Sequence, residues 1–274
     1  MADGPFELSG AVAVVTGATR GIGRQVATEF GRSGARLVLV GRTGSDAPDA
    51  LLPGSLDEAS RVLAAEGIEV RAVQADLTDP DQTQAIVERT LEWFGRCDVL
   101  INNAAYTSNG AIIDVPWSRW HKAMRAQVVA PLQLAQGFVP GMLDRGSGRI
   151  VNISSAAAAS LAPGLALYSV SKQAMERLTE YLDLEVGGRG VSFNVLRVDR
   201  VVATEGWQHV YDTQGEAVAT MGGSVTDVVA PEVVALQIEW LVRRPSTWSG
   251  NIVGCGDVAA LGGPSVDTGA RVTT

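Results

Sequence analysis

Cysteine and histidine are scarce in this chain of 274 residues, with two of each. Cys97 and Cys255 open no metal-ligand spacing, and each sits beside an apolar run, as a small buried hydrophobe does. No metal site is expected. His121 falls in a long helical stretch and reads as a surface or interface residue. His209 falls in a loop where it could meet a substrate, and neither histidine is read as catalytic. Runs of basic residues are absent, and 22 Lys and Arg face 30 Asp and Glu for a net charge of −8. That balance argues against nucleic acid or an anionic membrane as partner. Met1-Ala2-Asp3-Gly4-Pro5 has no basic region and no long apolar stretch follows it. Neither a signal peptide nor a membrane span is expected, and a reducing cytoplasm is the default compartment. No composition shift marks a boundary, so residues 1–274 read as one domain.

What is present is an apolar rhythm. Hydrophobic residues make up 46% of the chain, which disfavours disorder. Short apolar runs alternate with helix-like segments, the pattern of βα units around a parallel sheet buried on both faces. The expected fold is α/β: a single-domain, Rossmann-type doubly wound parallel sheet of about seven strands with helices on both faces. Strands are expected at Ala11–Thr16, Arg36–Gly41, Glu69–Ala75, Asp98–Asn102, Arg149–Ser154, Val191–Val198 and Asn251–Cys255. Asp79 is expected to cap a helix, with Pro80 at its first position and Gln82 closing a capping box. A long helix from about Trp117 to Leu143 contains Pro131, which predicts a kink or break. Two loops interrupt the rhythm, Thr43–Pro53 and Glu205–Thr226. The second holds Trp207, His209, Tyr211 and Met221 and reads as a lid over a binding site. Residues 258–274 read as a flexible tail or a reach to a neighbouring subunit.

Gly17, Gly21 and Gly23 join the first strand to the first helix in Thr16-Gly17-Ala18-Thr19-Arg20-Gly21-Ile22-Gly23. Glycines there let the backbone approach a pyrophosphate, and the helix N-terminus supplies free N–H groups and a positive dipole end. The spacing is GxxxGxG, and taken alone it also fits an ordinary strand-to-helix turn. At the end of the second strand, where an NAD site places an acid for the ribose 2′-hydroxyl, the chain has Gly41 and then Arg42. A guanidinium suits a 2′-phosphate, so NADP(H) is the expected cofactor, with Arg20 as a second candidate cation. The alternative for both arginines is a solvated loop position. Asp76, at the end of the third strand, is read as facing an adenine edge, with turn capping as the alternative. Tyr168 and Lys172 are four apart on a helix and share a face. An ammonium beside a phenol lowers its pKa and makes it a proton donor or acceptor near neutral pH.

Thr16–Gly23, Asp76, Asn102-Asn103-Ala104, Ser155, and Tyr168 with Lys172 occur in the order and spacing of the short-chain dehydrogenase/reductase family, which the chain resembles over nearly its whole length. The resemblance implies that Tyr168 is the general acid in carbonyl reduction and that Ser155 holds the carbonyl oxygen. It implies that Lys172 binds the nicotinamide ribose. Thr19, Ile22 and Leu77 would join Gly17, Arg20, Gly21, Gly23, Arg42, Asp76 and Asn103 around the cofactor. Asn102 and Ala104 would line its adenosine side, and Val202 and Thr204 would hold the carboxamide. It also implies a homodimer or homotetramer.

The chain departs from the family in three places. Gln127 stands where the family has a catalytic Asn, and Pro131 leaves the Gln127 carbonyl without its helical donor. A Gln127→Asn change is therefore expected to leave activity similar or higher. Val198-Asp199 replaces the usual Pro-Gly, and Ala105 replaces a Gly. Ala156–Leu165 is small and apolar and carries no cation. Together with Trp207 and Tyr211, it suggests an uncharged, largely apolar ketone or alcohol as the small-molecule substrate. Non-redox or epimerase chemistry on the same fold, and a cofactor-binding regulator without turnover, stay open as alternatives.

Overall fold

Val12–Thr16 is a run of apolar and β-branched residues, and the strand it forms, β1, is buried along its whole length. The computed structural model describes residues 4–44, 52–214 and 228–266. Helix α1 (Gly21–Arg32), β2 (Arg36–Gly41), α2 (Leu56–Ala65), β3 (Val70–Gln74), α3 (Pro80–Phe94) and β4 (Val99–Asn102) follow in strict alternation. Then come α4 (Trp117–Met124), α5 (Ala130–Arg145), β5 (Gly148–Ser155), α6 (Ala166–Val186) and β6 (Val191–Val198). The chain continues through β7 (Val201–Val202), α7 (Glu205–Gln214), β8 (Val228–Val229), α8 (Pro231–Val242) and β9 (Ile252–Gly254).

The main sheet has seven strands in the order β3-β2-β1-β4-β5-β6-β9, and every pairing is parallel. The chain builds outward from β1 on one side and then returns to place β4 on the other. That reversal leaves a crevice beyond the carboxyl ends of β1 and β4, where doubly wound sheets bind ligands. Alternate residues face opposite layers. Ala13, Val15, Leu37, Leu39, Val99 and Ile101 pack with α1, α2 and α8. Val14, Val38, Val40 and Leu100 pack with α3 and α5. The sheet is therefore covered on both faces, as the unbroken apolar runs require.

The long helix breaks where Pro131 foretells. A π-turn at Arg125–Val129 separates α4 from α5, and the Ala130 N–H reaches back to the Arg125 carbonyl. Pro131 has no N–H to offer Gln127, so the helix cannot pass through this point with ordinary bonding. Asp79 caps α3 by accepting from the Asp81 and Gln82 N–H groups at 2.9 and 3.3 Å. Gln82 does not close a capping box. Its Oε1 accepts from the Asp76 N–H at 2.8 Å, and its Nε2 donates to Asp79 Oδ2 at 2.9 Å. The loop before α3 curls back close enough for the longer reach.

Two other expectations change. Glu205–Gln214 is helical rather than irregular; the remainder of the expected lid, 215–226, lies outside the described residues, as do 45–51 of the Thr43–Pro53 loop. The start of the expected tail is anchored. Val258 is fully buried, and the buried Gln237 amide donates to the Cys255 and Pro264 carbonyls at 3.0 Å each. Residues 267–274 lie outside the description. Both cysteines are buried and free, and burial pushes their thiols up, that of Cys255 to about 12. Among the described residues, no helix is long and apolar enough to cross a membrane.

Candidate functional site

The turn between β1 and α1 is held by the residues that follow β4. Gly17 and Gly21 have φ of +68° and +54°, conformations that side-chained residues rarely adopt. A Cβ on Gly23 would stand 2.3 Å from the Gly17 carbonyl oxygen, so that position admits no larger residue. Thr16 Oγ1 accepts from the Asn103 and Ala104 N–H groups at 3.0 and 3.1 Å and donates to the Ile101 carbonyl. Asn103 Nδ2 donates to the Thr16 and Gly17 carbonyls at 2.9 and 3.2 Å. Asn103 thus acts first as a brace for the glycine turn.

A cleft of about 360 Å³ opens beside this turn. Of the expected cofactor residues, Gly17, Thr19, Arg20, Gly21, Ile22, Arg42, Asp76, Leu77, Asn103, Ala104 and Thr204 line it. Gly23, Lys172 and Val202 do not. Asn102 is also absent from the lining. It is buried beneath the cleft in a chain of amides, donating to Asn152 Oδ1 at 2.7 Å, while Asn152 donates to Thr179 Oγ1 at 2.8 Å. Asp76 lines the cleft, and its Oδ1 caps its own turn by accepting from the Thr78 N–H at 2.9 Å.

Sequence reading missed several lining residues. Gly41 is close-packed, with Thr19 Cγ2 only 2.7 Å from where a Cβ would lie. Thr43 is buried, and its hydroxyl accepts from Arg20 at 3.4 Å, tying the two arginine-bearing segments together. A hydroxyl directly after Arg42 was the available signal. Tyr106 and Gly206 complete the wall toward β4 and α7.

Ser155, Tyr168 and Lys172 gather at the end of β5 and the first turns of α6. Ser155 Oγ accepts from the Ala157 N–H at 3.3 Å and is hydrogen-bonded to the Tyr168 phenol. Lys172 is 2% exposed, lies 5.6 Å from the Tyr168 ring centroid, and donates to the Ile153 carbonyl at 2.6 Å. Burial lowers its pKa to about 8, against the opposing pull of Glu176 one turn on. Glu176 is itself buried in a two-pronged pair with Arg197 at 3.0 and 2.7 Å. The expectation that Lys172 lowers the phenol pKa is not met in this geometry. Burial raises the Tyr168 pKa and the Ser155 bond opposes it, while the ammonium, over the Tyr168 ring, gives its hydrogen bond to the Ile153 carbonyl.

Gln127 is 1% exposed and donates from Nε2 to Ser171 Oγ at 2.7 Å and to the Tyr106 carbonyl at 3.2 Å. Ser171 in turn donates to the Tyr168 carbonyl at 2.9 Å. The side chain therefore braces the backbone under Tyr168. An Asn is one methylene too short to keep both bonds. Gln127→Asn is accordingly expected to cost about 1 kcal/mol, a drop of roughly 2–4 °C in Tm, without raising activity. A higher kcat at unchanged Tm would refute the bracing role.

After β6, Asp199 Oδ1 accepts from the Gly256 N–H at 3.1 Å, tying this segment to the loop beyond β9. Val202 is buried and paired with β8, and its carbonyl accepts from the Thr204 N–H at 2.7 Å. Thr204 Oγ1 accepts from the Trp207 N–H at 3.2 Å, which makes it the start signal of α7.

Comparison with known proteins identifies the family. A family model described as short chain dehydrogenase matches residues 11–215. Gluconate 5-dehydrogenase of Gluconobacter oxydans is 36% identical over 194 residues, covering 70% of this chain and 71% of that protein. Glycine betaine reductase of Emericella nidulans is 34% identical over 244 residues; the match takes in 87% of this chain but spans only 18% of that protein's length. Among solved structures, L-sorbose reductase from Gluconobacter frateurii, complexed with NADPH and L-sorbose, is similar at a TM-score of 0.78 and 30% identity, covering 93% of this chain and 97% of that one. A putative NAD(P)-dependent gluconate 5-dehydrogenase from Beutenbergia cavernae with bound NADP has a TM-score of 0.79 and 32% identity, covering 94% of this chain and all of that one, 100%. With the family model matching most of its length and the glycine turn, Ser155, Tyr168 and Lys172 where they are, the chain belongs to the short-chain dehydrogenase family.

Proposed function

We propose that this protein is an NADP(H)-dependent oxidoreductase that interconverts a ketone and a secondary alcohol, working chiefly as a reductase. One observation carries the cofactor reading: Arg20 and Arg42 both line the cleft beside Gly41, where an NAD site would present an acid. The cleft fits a dinucleotide in other respects. Its floor is the close-packed glycine turn, and the N-terminus of α1, which its own N-cap residue does not cap, opens into it. Gly17, Gly21 and Ile22 would face the diphosphate, and Arg42 with Arg20 the 2′-phosphate. The relatives solved with NADPH or NADP support the same reading. Arg42→Asp is expected to reverse the preference, weakening NADPH relative to NADH by about 10- to 100-fold, the worth of a charge-assisted hydrogen bond. An unmoved ratio in a fluorescence titration would overturn the assignment.

A reduced nicotinamide bound there supplies hydride to a carbonyl carbon. The chain's own part is the proton. Because burial raises the Tyr168 pKa, the phenol keeps its proton near neutral pH and is ready to give it to the developing alkoxide. Ser155, hydrogen-bonded to that phenol, would hold the same oxygen. Lys172 remains largely cationic below its pKa of about 8 and stabilises negative charge nearby. A phenol held protonated suits reduction better than oxidation.

The substrate reading rests on Ala156–Leu165 and on the tilted ring pair of Trp207 and Tyr211, whose centroids are 5.4 Å apart. Both favour an uncharged, largely apolar molecule. The named relatives act on gluconate, sorbose and glycine betaine, so they point to no single substrate class. Two free, buried thiols fit a reducing compartment such as the cytoplasm. Self-association is part of the proposal. Val170, Tyr181 and Leu184 lie on one face of α6 and are 47%, 55% and 78% exposed. Leu184→Glu is expected to shift the sedimentation coefficient toward that of a monomer, and an unchanged value would exclude this face as the interface.

A further inference from the structure

Helix α1 begins without a cap of its own. Arg20 at the N-cap makes no side-chain bond to the first turn, and the first turn holds no acid. The Gly21 N–H nevertheless has a partner. Glu205 Oε2, contributed by the first residue of α7, accepts from it at 3.0 Å across 184 positions of sequence. Thr204 Cγ2 packs against Gly21 on the same side, 3.1 Å from where a Cβ would lie. Glu205 is exposed, so this is not a core contact. It is a carboxylate on the positive end of a helix. Gly21 also lines the cleft, with Thr204 and Gly206 from the segment that carries Glu205.

We propose that Glu205 is a displaceable latch. Its carboxylate occupies the α1 N-terminus until a cofactor diphosphate takes that place, and its release frees α7 to move with Trp207 and Tyr211. This inference rests on the reading of the cleft as a dinucleotide site. Two anions on one helix N-terminus repel, so the carboxylate and the diphosphate exclude each other. Glu205 shares a groove with Arg24 and Arg32, and also with Glu58, Glu66 and Glu232, so a displaced carboxylate moves into a surface of mixed charge. Cofactor binding is thereby coupled to the helix that carries two of the expected substrate-facing aromatics.

The test is equilibrium binding to the full chain and to the Glu205→Gln and Glu205→Ala variants. The probes are NADPH, followed by fluorescence, and adenosine 2′-monophosphate, followed by calorimetry. The second probe keeps the adenine and the 2′-phosphate but has no diphosphate. Glu205→Ala should bind NADPH about five- to tenfold more tightly, the range expected when a charged competitor leaves a helix N-terminus. Glu205→Gln should fall between, because its amide oxygen still accepts from Gly21 but carries no charge. Adenosine 2′-monophosphate should bind all three proteins equally. Unchanged or weaker NADPH binding by Glu205→Ala would overturn the latch, as would an equal gain for both probes. If the unaltered chain and the variants all bind neither NADPH nor NADH, the dinucleotide reading itself falls. If the unaltered chain binds NADPH well and only the gain is missing, the latch alone falls.

Discussion

Replacing Tyr168 by Phe is expected to lower kcat for NADPH-dependent ketone reduction by 10²- to 10⁴-fold, on the order of what a positioned general acid contributes. The ring stays and only the hydroxyl goes. The phenol lies outside the lining of the cleft, so NADPH affinity should be unchanged. Loss of kcat with unaltered cofactor binding separates a proton donor from a residue that merely fills space. Retained turnover would remove Tyr168 from the chemistry. A pH profile adds a second readout. Burial lowers the Lys172 pKa to about 8, so the cation is present below that value and is lost as pH rises through it. Reductase activity should therefore decline above about pH 8. Glu176 raises the Lys172 pKa, so Glu176→Gln should move this decline to lower pH. A profile that stays flat from pH 7 to well above 8 would show that the Lys172 charge does not matter for turnover.

Asp98→Ala should destabilise the fold by about 3 kcal/mol, at the lower end of the range for removing one partner of a buried ion pair. Asp98 is 2% exposed at the entrance to β4. Its Oδ2 accepts from the Val12 N–H at 2.9 Å, which pins the start of β1. Its Oδ1 accepts from Arg96 Nε and Nη2 at 2.8 and 2.6 Å, and from Arg145 at 3.4 Å. The alanine variant strands a buried backbone N–H at the start of β1 and leaves two guanidinium groups without their carboxylate. Those arginine side chains are 43% and 28% exposed and recover part of their solvation, which keeps the cost from being larger. Asp98→Asn retains an acceptor and should cost about half as much. Urea denaturation reads both values. A loss under 1 kcal/mol for the alanine variant would mean that β1 and β4 are held by packing alone.

Much of this architecture follows from short-range pattern. The run Val12–Val15 had to be a strand buried on both sides, because apolar residues at every position leave no face for water. Gly17, Gly21 and Gly23 marked a turn of close backbone approach, and the structure gives the first two positive φ and the third no room for a Cβ. Tyr168 and Lys172 had to share a face of α6, since four residues make about one turn. Pro131 had to disturb its helix, because it lacks the donor that the helix needs. Each of these inferences needs only the geometry of a few consecutive residues.

Other features depended on which distant segments meet. Gln82 reaches Asp76 rather than its own cap because the loop folds back within range. Asn102 turns down to Asn152 because β4 and β5 pair in that register. Lys172 donates to Ile153, and the Tyr168 pKa is raised because burial outweighs the Ser155 hydrogen bond. Glu205 meets Gly21 only because α7 returns to the mouth of the glycine turn. The sequence by itself determined the doubly wound sheet, the glycine turn and the residues that gather around it, since backbone conformation and hydrophobic period are local properties. Only the tertiary structure decided which hydrogen bond each polar side chain makes and which charge each titratable group feels, because both depend on neighbours that the chain supplies from far away.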